Sequence, residues 1–171
     1  GSPVIATNGG EIAVSSSASG DTLKFVGVFA GCEYVSSSTG KKVFSNYWPG
    51  SGADTNFDII GHVYDNPMQR FIICSDASLT DKATAIATIF EGAEFSAESG
   101  KGAANGSTTT GISAAQLDVS TVDASDLSHP LKIVGILDDP ENADFTAAGI
   151  PLIVMINNHA LLAGSAEATV S

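Results

Sequence analysis

The residues best suited to metal binding or acid–base catalysis are three histidines, His62, His129 and His159, which lie far apart in the sequence. Because no HxH or HxxxH spacing occurs, we interpret them as histidines of strand ends and turns, although a site could assemble from distant segments. Two carboxylates could likewise converge for glycoside hydrolysis, but no spacing selects a pair. No GxSxG motif or Walker loop occurs, and no GxGxxG follows a predicted strand. The sequence predicts a protein that is not an enzyme and binds no cofactor.

Two acidic stretches share part of the pattern of a cation site. Asp54, Asn56 and Asp58 have the spacing with which a calcium loop begins, and Asp65 falls at its twelfth position. The sixth position of such a loop requires glycine, but here it is Ile59. Ile59-Ile60 is instead typical of a strand core. No metal site is therefore predicted. The second stretch is interpreted as a solvated turn and consists of Asp138, Asp139 and Glu141.

Two cysteines, Cys32 and Cys74, lie in predicted strands, and no CxxC motif is present. The first residues, Gly1-Ser2-Pro3, have neither the basic nor the apolar region of a secretory signal peptide. We therefore expect a reducing compartment, in which both cysteines are buried free thiols and not a disulfide.

Aromatic residues at a turn are the strongest candidates for binding. Tyr47 and Trp48 precede Pro49-Gly50, and aromatic side chains at such a position stack on sugars or anchor a protein partner. The alternative is that Trp48 closes one end of a β-barrel. The predicted partner-binding residues combine these aromatics with the apolar residues near the N-terminus: Ile12, Val14, Tyr34, Phe44, Tyr47 and Trp48.

The charge of the chain narrows the classes of partner. The 171 residues include 19 acidic and 7 basic ones, which gives a net charge of −12. This charge disfavours nucleic acid, where Lys and Arg must replace the counterions of the phosphates, and it disfavours anionic membranes. No apolar run reaches the roughly 18 residues of a membrane span. Charged residues make up only 15% of the chain, a sparsity typical of surfaces that pack against neighbouring subunits.

Short apolar segments between Gly, Pro, Asn and Asp turns predict the elements that position these residues. They indicate a single all-β domain, a barrel or a sandwich with little helix, over 20–160. A flexible arm is expected over 1–19 and a tail over 161–171. Segments 57–64 and 69–75 should pair as a hairpin. The remaining expectations are strands at 21–34, 42–48, 131–137 and 150–157 (the last central in its sheet), a strand in preference to a helix at 79–95, a loop at 98–111, a helical turn or short strand at 112–122, and an acidic turn at 138–142.

Several of these segments resemble one family. The matching segments are GDTLKFVGVFAGCEY at 20–34, TGK at 39–41, FSNYWPG at 44–50, PLKIVGI at 130–136, PEN at 140–142 and VMINNH at 154–159. They are similar to small structural proteins of tailed bacteriophages that are encoded near the major capsid protein. The similarity extends over about 20–159, follows strands and turns with no active site, and is weakest over 76–95.

The resemblance implies a non-enzymatic virion protein that decorates, or cements, the outer surface of the phage head. Its partner would be the major capsid protein, and the virion would assemble in the host cytoplasm. Trimers would suit local three-fold positions of the shell, and the arm over 1–19 could add as a strand to a neighbour. A different class remains open, in which the chain is a tail or surface adhesin module that binds a host glycan through Tyr47 and Trp48.

Overall fold

The computed structural model describes residues 1–7, 9–14, 25–96, 106–107, 110–125, 128–137, 140 and 144–162. The protein is mostly β, with 41% strand and 10% helix, and its strands form two curled sheets. This confirms the prediction of an all-β barrel or sandwich.

The first sheet is built around one long strand. The central strand β3 (Phe25–Val35) pairs at its start with β1 (Pro3–Ala6) and at its end with β4 (Lys42–Ser45). On its opposite edge it pairs with β5 (Ile60–Tyr64). β1 continues through a short hairpin into β2 (Ile12–Val14). All of these pairs are antiparallel.

The second sheet consists of β6 (Phe71–Ser75), β7 (Gly92–Ala93), β8 (Gln116–Leu117), β9 (Leu131–Ile136) and β10 (Pro151–Ile156). Their order across the sheet is β7-β9-β10-β6-β8. The most apolar strand, β10, lies at the centre as predicted, and most of its residues are buried. The α-helix is α1 (Lys82–Ala87), and 3-10 turns lie at Gly50–Gly52 and Val119–Thr121.

Two separate apolar clusters divide β3 into halves. The first half of β3 joins the large core between the sheets, where the Phe25 ring lies 5.3 Å from that of Phe95, centroid to centroid. The second half contributes Cys32 and Tyr34 to a small cluster that also contains Ala53. The buried residues of the large core are Phe25, Leu79, Ala85, Ala93, Phe95, Leu117, Leu131, Ile133, Ile150, Leu152, Val154 and Ile156.

Glycines within β3 permit the close approach of its neighbours, as their presence in a strand predicts. Gly27 has φ of +154°, and a Cβ there would collide with the carbonyl of Tyr64 and lie 2.8 Å from Val63 Cγ1. A Cβ on Gly31 would lie 2.8 Å from the carbonyl oxygen of Ser45. The register between β3 and β5 shifts just before Gly31, as in a β-bulge.

The prediction of a flexible arm over 1–19 is wrong for the residues that the structure describes. β1 and β2 are strands of the first sheet, and the turn between them is closed by the Thr7 N–H, which donates to the Glu11 carbonyl at 2.8 Å. Val4 is 2% exposed, so the segment buries apolar surface of its own. Residues 15–19 lie outside the described part of the chain.

The predicted hairpin between 57–64 and 69–75 is also wrong. A turn does separate the two strands, but β5 pairs with β3 in the first sheet and β6 pairs with β10 in the second. The two strands are therefore consecutive in the sequence but belong to different sheets.

The segment 79–95 begins with a helix and not with the predicted strand. Asp81 accepts a hydrogen bond from the Thr84 N–H at 2.7 Å and so caps the first turn of α1. Ala85 faces the core, while Ile86 on the other side is 51% exposed. Strand structure appears only at β7. Over 112–122, both predicted alternatives occur, as β8 and a 3-10 turn.

The cysteines are both free, as expected, but only one of them is buried. Cys32 packs in the small cluster of the first sheet, and its burial raises the pKa of its thiol. Cys74 is exposed, contrary to the prediction, because alternation along β6 directs it away from the core. The loop predicted at 98–111, the acidic turn at 138–142 and the tail at 161–171 lie mostly outside the described residues.

Candidate partner-binding site

Three strands of the first sheet place one row of side chains on its outer face. Phe44 on β4 lies opposite Glu33 on β3, which lies opposite Ile60 on β5. Directly opposed residues of a sheet point to the same side, so the three side chains are neighbours. Phe44 is 64% exposed and Ile60 is 50% exposed. The other face of the same strands carries the buried small cluster, and therefore only this face is open.

A second row lies beside the first. His62 on β5 is opposite Gly31 on β3, and the Phe44 ring reaches over that glycine. The ring centroids of Phe44 and His62 are 5.7 Å apart, at an interplanar angle of 43°. A Cβ on Gly31 would lie 3.1 Å from Phe44 Cζ, so the missing side chain makes room for the ring. The position of Phe44 is thus defined by the backbone below it.

One carboxylate stands in the middle of these groups. Glu33 forms a salt bridge with Lys42 on β4, and His62 Nε2 lies 3.5 Å from its Oε1 atom. The hydrogen bond and charge of Lys42 lower the pKa of Glu33, and the neighbouring His62 acts in the same direction. We call Glu33, Lys42, Phe44, Ile60 and His62 the Phe44 face.

The composition of the Phe44 face suits a protein partner. Aromatic and aliphatic side chains surround one ion pair, and the alternation of β5 continues the row with Tyr64, which is 60% exposed. Interfaces are enriched in such aromatic residues, and a charge pair among them adds orientation. Glu33 is the acidic member of this pair and Lys42 the basic one, so the face offers a partner one charge of each sign.

The six predicted partner-binding residues are not brought together. Phe44 lies on the Phe44 face, whereas Tyr34 is buried at 9% exposure in the small cluster and cannot contact a partner. Tyr47 is half-buried, and its carbonyl oxygen accepts a hydrogen bond from Cys32 Sγ at 3.4 Å. Ile12 on β2 packs against β5, since a Cβ on Gly61 would lie 2.6 Å from Ile12 Cδ1. Val14, at the end of β2, is 42% exposed. Trp48, which follows β4, is 51% exposed.

Trp48 does not close the end of a barrel, because half of its surface is open to solvent. It follows Tyr47 in a bend after β4, and the 3-10 turn Gly50–Gly52 begins two residues later. An exposed indole held at a turn can stack on a flat ligand or on a sugar ring. Trp48 is therefore a second candidate for binding, separate from the Phe44 face.

The histidines and acidic residues form no metal centre within the described ranges. No group of three or more His, Cys, Asp or Glu side chains there is close enough to hold an ion. Asp54 uses its Oδ1 atom to accept hydrogen bonds from the backbone N–H and the side-chain amide of Asn56, so it closes a turn. His129 and His159 are buried, at 8% and 1% exposure. The second acidic stretch, which consists of Asp138, Asp139 and Glu141, lies outside the described residues.

The predicted partner-binding set lacks four members of the Phe44 face, although His62 was considered from the sequence as a metal-binding or acid–base residue. Ile60 was assigned to a strand core, but its side chain is exposed and only Ile59 packs against the small cluster. The alternation of Ile60, His62 and Tyr64 signals one common face of a strand. This alternation does not show which face of the strand is covered by the rest of the chain. Glu33 and Lys42 become part of the site only because β3 pairs with β4.

Comparisons with family models, with curated proteins and with solved structures find no match to this chain. The similarity to phage structural proteins therefore stays a prediction. Among the helices in the described residues, none is long and apolar enough to cross a membrane.

Proposed function

We propose that this chain is a non-enzymatic structural protein of a virion that binds the outer surface of an assembled phage head and stabilises it. The observation that carries the proposal is the Phe44 face, an exposed set of apolar and aromatic side chains on the open side of a sheet. The opposite side of the same strands is already buried in the small cluster. A partner that binds here would bury the apolar side chains that the chain itself leaves exposed.

The apolar side chains of the Phe44 face would contribute to the free energy of such a contact. Full burial of a Phe or Ile side chain contributes up to about 1.5–3 kcal/mol, and interfaces concentrate their energy in a few such residues. A protein that binds only the assembled, expanded shell stabilises that state by mass action. Repeated over a lattice, moderate affinity per subunit gives a large total effect.

The charge of the chain supports an outer position. With a net charge of −12, the protein is repelled by packaged nucleic acid and gains nothing from a place inside the shell. The partner proposed here is the major capsid protein, and the complex forms in the host cytoplasm during head assembly.

Co-sedimentation with empty, expanded heads of the phage that carries the gene tests the proposal. The double variant Phe44→Ala/Ile60→Ala removes the two largest apolar side chains of the Phe44 face. The matched control is Ile86→Ala/Phe90→Ala, which removes the same residue types from positions that are 51% and 72% exposed beside the second sheet.

We expect wild type and control to co-sediment equally, and the Phe44-face variant to bind roughly 10–100-fold more weakly. Equal binding by both double variants would remove the Phe44 face from the interface. Failure of the wild-type protein to bind expanded heads would overturn the decoration role itself.

Trimerisation is the second part of the proposal, because three-fold positions occur between the hexagonal clusters of a capsid lattice. Light scattering after size exclusion should then give about three times the mass of one chain. A monomer would remove the reason to favour three-fold positions and would strengthen the alternative below.

The alternative function is a tail or surface adhesin module that binds a host glycan, and the exposure of Trp48 favours it. A glycan array would detect such binding, and Trp48→Ala should abolish the signal while the Phe44-face variant retains it. A decoration protein should ignore soluble sugars in the same array.

A further inference from the structure

Within the described part of the chain, the second sheet has an incompletely paired edge at β6. The Ser75 N–H donates to the Ile150 carbonyl at 2.9 Å, and the Ser75 carbonyl accepts from the Gly149 N–H at 3.0 Å. Ser75 and the alternate residues Ile73 and Phe71 therefore direct their backbone groups to the β10 side. The backbone N–H and C=O of Ile72 point the other way. Among the described residues, β8 covers that edge only at Cys74 and Ser75.

An open groove of about 710 Å³ runs beside this edge. Its lining includes Phe71 and Ile73 from β6, Val154 and Ile156 from β10, and Pro3 and Val28 from the first sheet. Residues 111–116, which lead into β8, also line it. The edge of β6 can thus form backbone hydrogen bonds with an added strand, and the adjacent groove can hold the apolar side chains of that strand.

The side chains that line the groove are uncharged, and the amino group of Gly1, which also lines it, has its pKa lowered by burial. Although the chain has 19 acidic and 7 basic residues, the side chains that line this groove include no Asp, Glu, Lys or Arg. Burial of a charge without a partner is costly, so a neutral ligand is selected. A backbone edge additionally selects an extended chain, because only a strand presents N–H and C=O groups at the matching spacing.

We propose that an uncharged, extended segment of the major capsid protein adds to the β6 edge as a further strand. Its backbone hydrogen-bonds to the N–H and C=O of Ile72, and its alternate apolar side chains enter the groove. This inference rests on the function proposed above and names the structural element that the head supplies. β6 of a second copy could pair with the edge but could not fill the groove, since its Phe71 and Ile73 side chains pack against its own core.

The variant Ile72→Pro tests the strand addition. Proline removes the outward N–H, and an edge position accepts it because that N–H is not used within the sheet. The control Ile72→Ala removes the same side chain, which is 62% exposed, and keeps the N–H. In co-sedimentation with empty, expanded heads, we expect Ile72→Pro to bind at least tenfold more weakly than wild type, and Ile72→Ala to bind within about threefold.

Hydrogen exchange on the wild-type protein tests the same inference without relying on the folding of a variant. The peptide that contains Ile72 should exchange more slowly on heads than in the free protein at the same concentration. Equal binding by Ile72→Pro, or unchanged exchange at this peptide, would overturn strand addition while leaving the decoration role intact. Slower exchange at high protein concentration without heads would assign the edge to a second copy and overturn the inference. If wild type does not bind heads, the decoration role fails first.

Discussion

The two halves of β3 have the same secondary structure and opposite surroundings. The first half, around Phe25, packs into the large core between the sheets. The second half, around Glu33, is covered on one side by the small cluster and open on the other. One continuous strand therefore links the region that holds the fold together to a region whose outer side chains are exposed, which is the proposed binding face.

This difference separates stability from recognition along a single strand. A side chain in the large core is surrounded by others and contributes mainly to the free energy of unfolding. If the Phe44 face binds a partner as proposed, its side chains become buried only in the complex, and they contribute mainly to the free energy of binding. Variants of similar residues in the two halves should therefore affect different measurements.

Two phenylalanines of the first sheet give the largest expected contrast. Phe25 is 0% exposed and Phe44 is 64% exposed. Phe25→Ala should lower the free energy of unfolding by about 3–5 kcal/mol, because it leaves a cavity next to Phe95. Phe44→Ala should change it by less than about 0.5 kcal/mol. Urea unfolding of both variants checks this, and similar losses would show that the second half of β3 also depends on its outer face for stability.

The glycines of β3 test how the two halves are joined. Gly27→Ala should destabilise the protein by about 2–4 kcal/mol, because the new Cβ collides with the backbone of Tyr64 and displaces β5. The matched control is Gly40→Ala, which has φ of +66° and open space around the new atom. It should cost only the roughly 1–2 kcal/mol of a left-handed conformation. Equal thermal shifts in the two variants would indicate that β5 can move away without loss.

The sequence predicted the strands better than their partners. β9 and β10 were placed almost to the residue, because apolar runs between clear turns are a local signal. The hairpin of β5 with β6 was wrong, since pairing depends on which edges distant strands leave free. The helix α1 did have a local signal, Asp81 three residues before Thr84, but the β-branched residues around it favoured a strand.

The candidate site shows the same limit. Phe44 was predicted and is exposed, whereas Tyr34 was predicted and is buried, although the two residues have the same aromatic character. Alternation along a strand tells which residues share a face. It does not tell which face another part of the chain covers, and here the loop that carries Ala53 covers the Tyr34 side.

pH should affect the two regions unequally. His159 lies at the junction of β10 with β3, and its Nδ1 atom accepts a hydrogen bond from the Leu161 N–H at 3.1 Å, as only the neutral ring can. Burial lowers its pKa below the ordinary value of 6.5, with the Asp65 carboxylate and the Val26 backbone opposing this shift. As the pH falls through about 6.5, His159 therefore binds a proton in the unfolded chain but stays neutral in the folded protein. Stability is fully present above this pH and falls as the pH decreases toward the lowered pKa.

Urea midpoints at pH 7.5, 6.5 and 5.5 measure this effect. His159→Gln should flatten the decrease, while His62→Gln, on the Phe44 face, should retain it. The comparison uses the slope with pH, so a general loss of stability in either variant does not obscure it. Identical slopes in wild type and His159→Gln would assign the pH dependence to other groups.

The smallest effect on stability is expected at the ion pair of the Phe44 face. Lys42 lowers the pKa of Glu33, so any stabilisation by the pair is present above the ordinary pKa of 4.5 and is lost as the pH falls through the lowered pKa. Since Lys42 is exposed and Glu33 is partly exposed to solvent, Glu33→Gln should leave the urea midpoint at pH 7 unchanged.

The same variant should alter binding to expanded heads and its dependence on salt, because Glu33 stands between Phe44 and Ile60, where a partner would cover it. Lys42→Gln, which removes the other member of the pair, serves as the companion variant in both measurements. A large loss of stability in Glu33→Gln with no change in head binding would reverse the assignment. The outer face would then be part of what holds the second half of β3 together, and the contrast between the two halves would disappear.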